Sequence, residues 1–210
     1  MTCVSMRVTL LIVSLLVAIA IAGAQTRHWT ETSNELLWRG RYNNCDHGYF
    51  VNLPRGVVGH GSLPPAPNHG ILVSAGSPNA TIVVTLKQGR VLDVYDSSDA
   101  TELASPQAYL ERYELKPADA SDRITILERR DAKFRGFPAA YVHFRTSRAS
   151  LVAEVEELVV YRAPKEIGPL FNVVLLRSTP EFYRRDHVFF VQIRNGLRFA
   201  PVPAGTCSND

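Results

Sequence analysis

The sequence has little net charge, little sulfur and only one long apolar run, and each shortage removes a class of protein. Its formal net charge is +3 over 210 residues. The basic residues are scattered, apart from the pairs Arg129-Arg130 and Arg184-Arg185. Nucleic-acid binding needs lysine and arginine concentrated on one face, so no nucleic-acid partner is expected. Three cysteines leave room for a single disulfide. The one long apolar run, Val8 to Ile21, is shorter than the ~20 residues a spanning helix needs. No second run follows it, which argues against an integral membrane protein. Also missing are a G-x-S-x-G nucleophile turn, the central glycine and ligand spacing of an EF-hand and a compact metal-ligand motif. No repeat, low-complexity tract or second domain boundary is visible.

What is present begins with an export signal. Arg7 supplies a short basic region, Val8 to Ile21 an apolar core, and Ala22-Gly23-Ala24 the small-x-small pattern that signal peptidase cuts. Residues 1–24 are therefore expected to be removed, leaving Gln25 at the mature terminus and the protein periplasmic or extracellular. No cysteine follows the cleavage point, so no lipid anchor is expected. Cys3 leaves with the signal, and Cys45 and Cys207 remain as a pair near the two ends. In an oxidising compartment such a pair is expected to form a disulfide.

Residues 25–46 read as a polar lead-in around Trp29, Leu36, Leu37 and Trp38, and residues 47–210 as one domain. Tyr49, Val51 and Leu53 alternate with Phe50 and Asn52, which predicts a strand ending at Pro54. Arg55 to Asn68 is dense in glycine and proline, including Gly59-His60-Gly61 and Pro64-Pro65-Ala66-Pro67. Proline removes a ladder donor and fixes φ, so this run predicts a long surface loop. Strands are expected at His69 to Ser74, Ala80 to Leu86 and Arg90 to Tyr95, the last two joined by a turn at Lys87-Gln88-Gly89. Ser105-Pro106 caps a helix to about Leu115, stopped by Lys116-Pro117. Four strands follow at Asp122 to Arg130, Phe137 to Thr146, Leu151 to Arg162 and Leu170 to Arg177, with a turn at Gly136-Phe137-Pro138. Thr179-Pro180 repeats the cap pattern and opens a second helix, whose Phe182, Phe189, Phe190 and Ile193 form an apolar stripe interrupted by Asp186. Asn195-Gly196 is expected to end that helix in a left-handed conformation, and Leu197 to Phe199 to close a sheet edge. Grouped antiparallel strands with two helices make an α+β single domain, an antiparallel sheet with helices packed against it.

The order of these phrases carries a resemblance. The "GYFVNLP" strand, the Ser-Pro helix, the "GFPAAY" meander and the closing "LFNVVLL-STPEFY…FFVQIRNGLRF" resemble the α/β/α sandwich of PsbP-like proteins. That group also includes Mog-type Ran-binding proteins and bacterial secreted relatives. Phe190, Ile193, Gly196, Leu197 and Phe199 fit its terminal phrase, F-x-x-I-x-x-[SG]-[FL]-x-F. The resemblance covers Tyr49 to Phe199 in organisation, and its motifs are short, apolar and structural. It implies an accessory or interaction role, with no catalytic residues and no cofactor to carry across.

The chemical candidates are few. His47, His60 and His69 lie close in sequence, beside Cys45, and turns can bring imidazoles together on a metal. Their spacings match no compact motif, and loop histidines explain them equally well. Ser62 follows His60 on the glycine-rich run, as a serine hydrolase would need, without the acid or oxyanion donors that such an enzyme requires. Asp93, Asp96, Asp99 and Glu102 read as a solvated loop with a capping residue. Glu154, Glu156 and Glu157 lie on a strand of alternating polarity and read as an exposed sheet face. The expectation is an exported, non-catalytic accessory or binding protein for an unknown protein or small ligand. Its expected surface is the Gly56 to Gly70 loop, with His60, Ser62, Leu63, Pro64, Pro65 and His69 as contact residues. The alternative is a secreted metal-dependent or serine hydrolase using His60, Ser62 and His69.

Overall fold

The computed structural model describes residues 36–61, 70–75, 90–117, 122–148 and 151–201. The expected signal, the strand at Ala80 to Leu86, the turn after it, Ser62 to His69 and Cys207 lie outside the described residues.

Among the described residues eleven strands fall into two antiparallel sheets. They are β1 (Leu36–Arg39), β2 (Arg41–Asn44), β3 (Tyr49–Asn52), β4 (Val57–Gly61), β5 (Gly70–Ala75), β6 (Val91–Ser97), β7 (Arg123–Phe134), β8 (Phe137–Arg148), β9 (Leu151–Arg162), β10 (Leu170–Ser178) and β11 (Leu197–Phe199). The large sheet runs β1-β4-β5-β6-β10-β9-β8-β7 and the small one β11-β3-β2. The described residues also form two α-helices, α1 (Pro106–Tyr113) and α2 (Tyr183–Gly196), and a 3-10 turn (Ser98–Thr101). The fold is a single, sheet-dominated α+β domain, as the pattern of strands implies.

The core follows from the two-residue period of the strands. On one face of the large sheet Tyr141, Leu158, Val160, Val174 and Leu176 pack with Phe190 and Ile193 of α2 and with Tyr42, Tyr49, Val51 and Leu197 of the small sheet. On the other face Val142, Phe144, Val155, Val159, Phe171 and Val173 pack with Tyr109 and Leu110 of α1. Ser105 caps α1 by accepting from the Ala108 amide at 3.1 Å, and Pro106 takes the first helical position. β8, β9 and β10 keep their expected starts, and β7 runs on to Phe134. β11 closes an edge by pairing with β3.

Four local expectations are corrected. Val57–Gly61, expected within a loop, is a buried strand between β1 and β5. Every proline of that region lies outside these five positions, and Gly59 is there for close packing. A Cβ on Gly59 would sit 2.9 Å from Ile71 Cδ1 and 3.3 Å from Leu53 Cδ1. The turn before β8 is Arg135-Gly136, both with positive φ (52° and 89°). Phe137 and Pro138 are already in the strand, Pro138 opposite Lys133. α2 begins at Tyr183 rather than Pro180: the Thr179 carbonyl accepts from the Phe182 and Tyr183 amides at 3.0 Å, but the Thr179 hydroxyl makes no capping bond and Phe182 stands at the N-cap. Gly196 ends α2 without a positive φ. Glycine is required there because a Cβ would lie 2.4 Å from the Asn52 carbonyl oxygen, so the helix end sits directly on β3.

Candidate functional site

Strand β9 reads LVAEVEELVVYR, and its three glutamates are all buried. The exposed face expected for them does not exist. Glu154 and Glu156 alternate with Val155 and so share the face that α2 covers, while Glu157 points to the α1 face. Buried carboxylates are tolerated when donors satisfy them, and the hairpin register supplies those donors. Arg145 lies opposite Glu154, and His143 opposite Glu156.

Glu156 is wholly buried and is a common acceptor. It accepts from the Tyr141 hydroxyl at 2.6 Å and from the Tyr183 hydroxyl at 2.7 Å, and pairs with His187 Nδ1. Tyr141 comes from β8, and Tyr183 and His187 from the first two turns of α2, so one carboxylate pins the helix start to the sheet. Glu154 pairs with His143 Nε2 at 3.0 Å and accepts from Arg145 Nε at 2.8 Å. The His143 ring stacks on Tyr183 at 5.1 Å with the planes 11° apart, which joins the two carboxylate clusters. Burial, reinforced by the Glu156 hydrogen bond and charge, pushes both the Tyr141 and Tyr183 hydroxyls up, so both stay neutral donors. At the rim Arg130 lies over the Tyr141 ring at 4.7 Å and pairs with Glu128 at 3.2 Å.

The arrangement is asymmetric in exposure. The carboxylates are inside, yet the His187 side chain is 43% exposed and that of Arg145 52%. With Nδ1 engaged by Glu156, His187 turns its other ring nitrogen away from the carboxylate. Each glutamate thus fixes a cationic or imidazole group in one orientation at the surface.

Two further networks set the position of this strip. Asp186, the break in the α2 stripe, is buried and accepts from Arg90 Nε and Ser178 Oγ, both at 2.6 Å. Burial pushes its carboxyl up, but the bonds and charge of Arg90 and the Ser178 bond outweigh that and hold it below the usual range. At the far end Arg162 donates to Asn172 Oδ1 at 2.6 Å, to the Gly48 carbonyl at 3.1 Å and to the His47 carbonyl. Beside it Asp96 accepts from Tyr49 at 3.1 Å and Asn44 at 3.3 Å and pairs with His47 Nδ1 at 3.3 Å. Asp96 is therefore a buried bridge between the two sheets, not part of a solvated loop. The capping expectation there holds, since Ser97 accepts from the Asp99 amide at 3.2 Å.

The residues singled out from the sequence are placed differently. His47 lies in the β2–β3 turn, against Asp96. His60 is buried in β4, not on a loop, and Ser62, Leu63, Pro64, Pro65 and His69 lie outside the described residues. Among the described residues no group of three His, Cys, Asp or Glu side chains is arranged to hold a metal ion. Cys45 carries a free thiol that receives Asn43 Nδ2 at 3.1 Å, and its expected partner Cys207 is not among the described residues. No described helix is long and apolar enough to cross a membrane.

No family model and no curated protein matches the sequence. Solved structures do match in fold. The solution structure of cyanobacterial PsbP from Synechocystis sp. PCC 6803 superimposes with a TM-score of 0.52 at 14% identity, covering 84% of this chain and 99% of that one. LpqN, described as involved in cell envelope biogenesis of Mycobacterium tuberculosis, gives 0.49 at 12% identity, over 79% and 92%. At these identities the likeness is one of fold, and the fold is PsbP-like.

Proposed function

We propose that this chain is an exported, non-catalytic accessory protein with the α/β/α arrangement of the PsbP-like group. It recognises an unidentified protein or small ligand through the strip between α2 and β7. The observation that carries this reading is the pairing of buried carboxylates with exposed partners. Removing Glu154 and Glu156 from water costs free energy that ion pairing does not recover with any surplus. What the arrangement gains is orientation, because His187, His143 and Arg145 lose rotamer freedom before any ligand arrives. Preorganised polar groups lower the entropic cost of binding, and aromatic rings with arginine at the rim are the residue types that dominate recognition surfaces. The PsbP-like fold supports an accessory role by analogy of architecture only.

The test uses the mature chain, with Gln25 as its expected first residue by mass spectrometry, as bait for exported proteins of its own source. Wild type is compared with the double variant His187→Ala, Arg145→Ala. Both side chains are half exposed, so the far-ultraviolet circular dichroism spectrum is expected to be unchanged. A partner retained by wild type and lost by the variant, at least tenfold by titration, is the expected result. Equal retention by both proteins, with the variant folded, overturns the assignment of the surface.

A further inference from the structure

The opposite face of the large sheet holds a carboxylate that this function does not use. Glu157 is wholly buried, and neither of its oxygens has a hydrogen-bond partner. The strand register defines its surroundings. Val142 of β8 and Leu175 of β10 lie directly opposite it, and Asp93 of β6 follows Leu175 in the same row. Arg177 and Tyr95 stand two residues further along β10 and β6, on the same face. From above, α1 brings Tyr109, whose hydroxyl is 3.1 Å from that of Tyr95, and Glu114 directly after the helix. Glu114 repels Glu157 and Arg177 attracts it, and Asp99 of the 3-10 turn acts on Tyr109. Two carboxyls, Glu157 and Glu114, and the Arg177 guanidinium therefore act on one another where α1 closes on the sheet, with Asp93 two strands away in the same row.

An unpartnered carboxylate is strongly disfavoured in such a place. Burial, with the Glu114 charge adding to it, holds the Glu157 carboxyl well above the usual range despite Arg177. Burial likewise raises Glu114 and pushes Asp93 up to about 7.

We infer that Glu157 is a proton-held latch for α1. Neutral, it lets the helix close on the sheet; ionised, it drives α1 off and uncovers the apolar surface of Val142, Phe144, Val159 and Phe171. With α1 open, Glu157 regains water and titrates in the ordinary carboxylate range, below its closed-state value. The closed form then binds more protons than the open one. Closure is complete below the ordinary range and is lost as pH rises toward the raised value, by up to about tenfold in the opening equilibrium per pH unit for one group. This device is independent of the strip beside α2.

Hydrogen exchange of the amides of residues 107–115, measured on the full mature chain between pH 5 and 8, tests it. The comparison is wild type against Glu157→Gln and Glu157→Leu. Taking the ratio of rates at each pH cancels the base-catalysed exchange common to all three proteins. The ratio of wild type to either variant is expected to rise with pH, by up to about tenfold per unit. Glu157→Leu is also expected to melt above wild type at pH 8, and it carries the comparison if the Gln variant folds poorly. A ratio that stays flat overturns the latch. So does a Leu variant that melts below wild type at pH 8.

Discussion

Replacing Arg162 with alanine is expected to destabilise the fold by about 3–5 kcal/mol, the range for removing one member of a buried charged network. For a domain of this size that lowers the melting temperature by roughly 6–20 °C, readable by thermal denaturation. The size of the effect follows from what the guanidinium holds. Its donors satisfy Asn172 on β10 and two carbonyls of the Cys45–Gly48 turn, and its plane covers the Phe199 ring at 4.5 Å. Gly48 also accepts from the Ala200 amide at 3.0 Å, so one turn joins β2, β3, β11 and the large sheet through this side chain. Burial lowers the Arg162 pKa to about 10, opposed by the charges of Tyr49 and Asp96. The group is still a cation at neutral pH, and without it Asp96 loses a favourable charge interaction. Lysine is expected to rescue only part of the loss, because one ammonium cannot reproduce three divergent bonds and a stacking plane.

Glu156→Ala is expected to cost a similar amount, about 3–5 kcal/mol, measured by urea denaturation. The substitution leaves the hydroxyls of Tyr141 and Tyr183 buried without their acceptor and frees His187 from its carboxylate. Orphaned donors of this kind cost about 1–3 kcal/mol each, and the cavity left by the side chain adds to that. Glu156→Gln is expected to fall between wild type and Glu156→Ala, since the amide keeps only one of the two acceptor oxygens that Tyr141, Tyr183 and His187 use. The start of α2 depends on this carboxylate, because Phe182 at the helix N-cap makes no side-chain capping bond. Exchange protection is therefore expected to be lost first over the Tyr183–His187 turns.

The helices and the meander were legible because their signals are local. Ser105-Pro106 announces α1 by a hydroxyl and a preset φ, and both contribute as expected. β8 to β10 are long, apolar and bounded by turns. β4 was hidden because the local signal of Gly59-His60-Gly61 is that of a turn. Its strand character comes from Ile71 and Leu53 filling the space where a Cβ would be. Gly196 misled in the same way, looking like a left-handed cap while serving a close approach to Asn52. The candidate site was hidden for a different reason. Three glutamates in an alternating strand look wet until α2 is docked over Glu154 and Glu156 and α1 over Glu157, and only the register of β8 on β9 places Arg145 and His143 opposite. The run YVHFR at Tyr141–Arg145 against EVEEL at Glu154–Leu158 contains that information, but it can be read only once the β8–β9 hairpin is closed with Arg148 opposite Leu151. Arg162 left no trace at all, since its acceptors on the turn are backbone carbonyls 114 and 115 residues away.

We take the polar cluster under α2 to orient groups for recognition, while anchoring the helix start no better than apolar packing of the same volume would. One urea-denaturation measurement separates these roles. The combined variant Glu156→Leu, Tyr141→Phe, Tyr183→Phe, His187→Gln removes every member of the Glu156 cluster at once and orphans none. Replacing a buried polar cluster by apolar groups of similar volume is often neutral, or stabilising by about 1–4 kcal/mol. The account predicts unfolding at the wild-type urea concentration or above it, although Glu156→Ala alone is severely destabilised. A combined variant that unfolds as early as Glu156→Ala would contradict it, and would make the cluster a structural clamp.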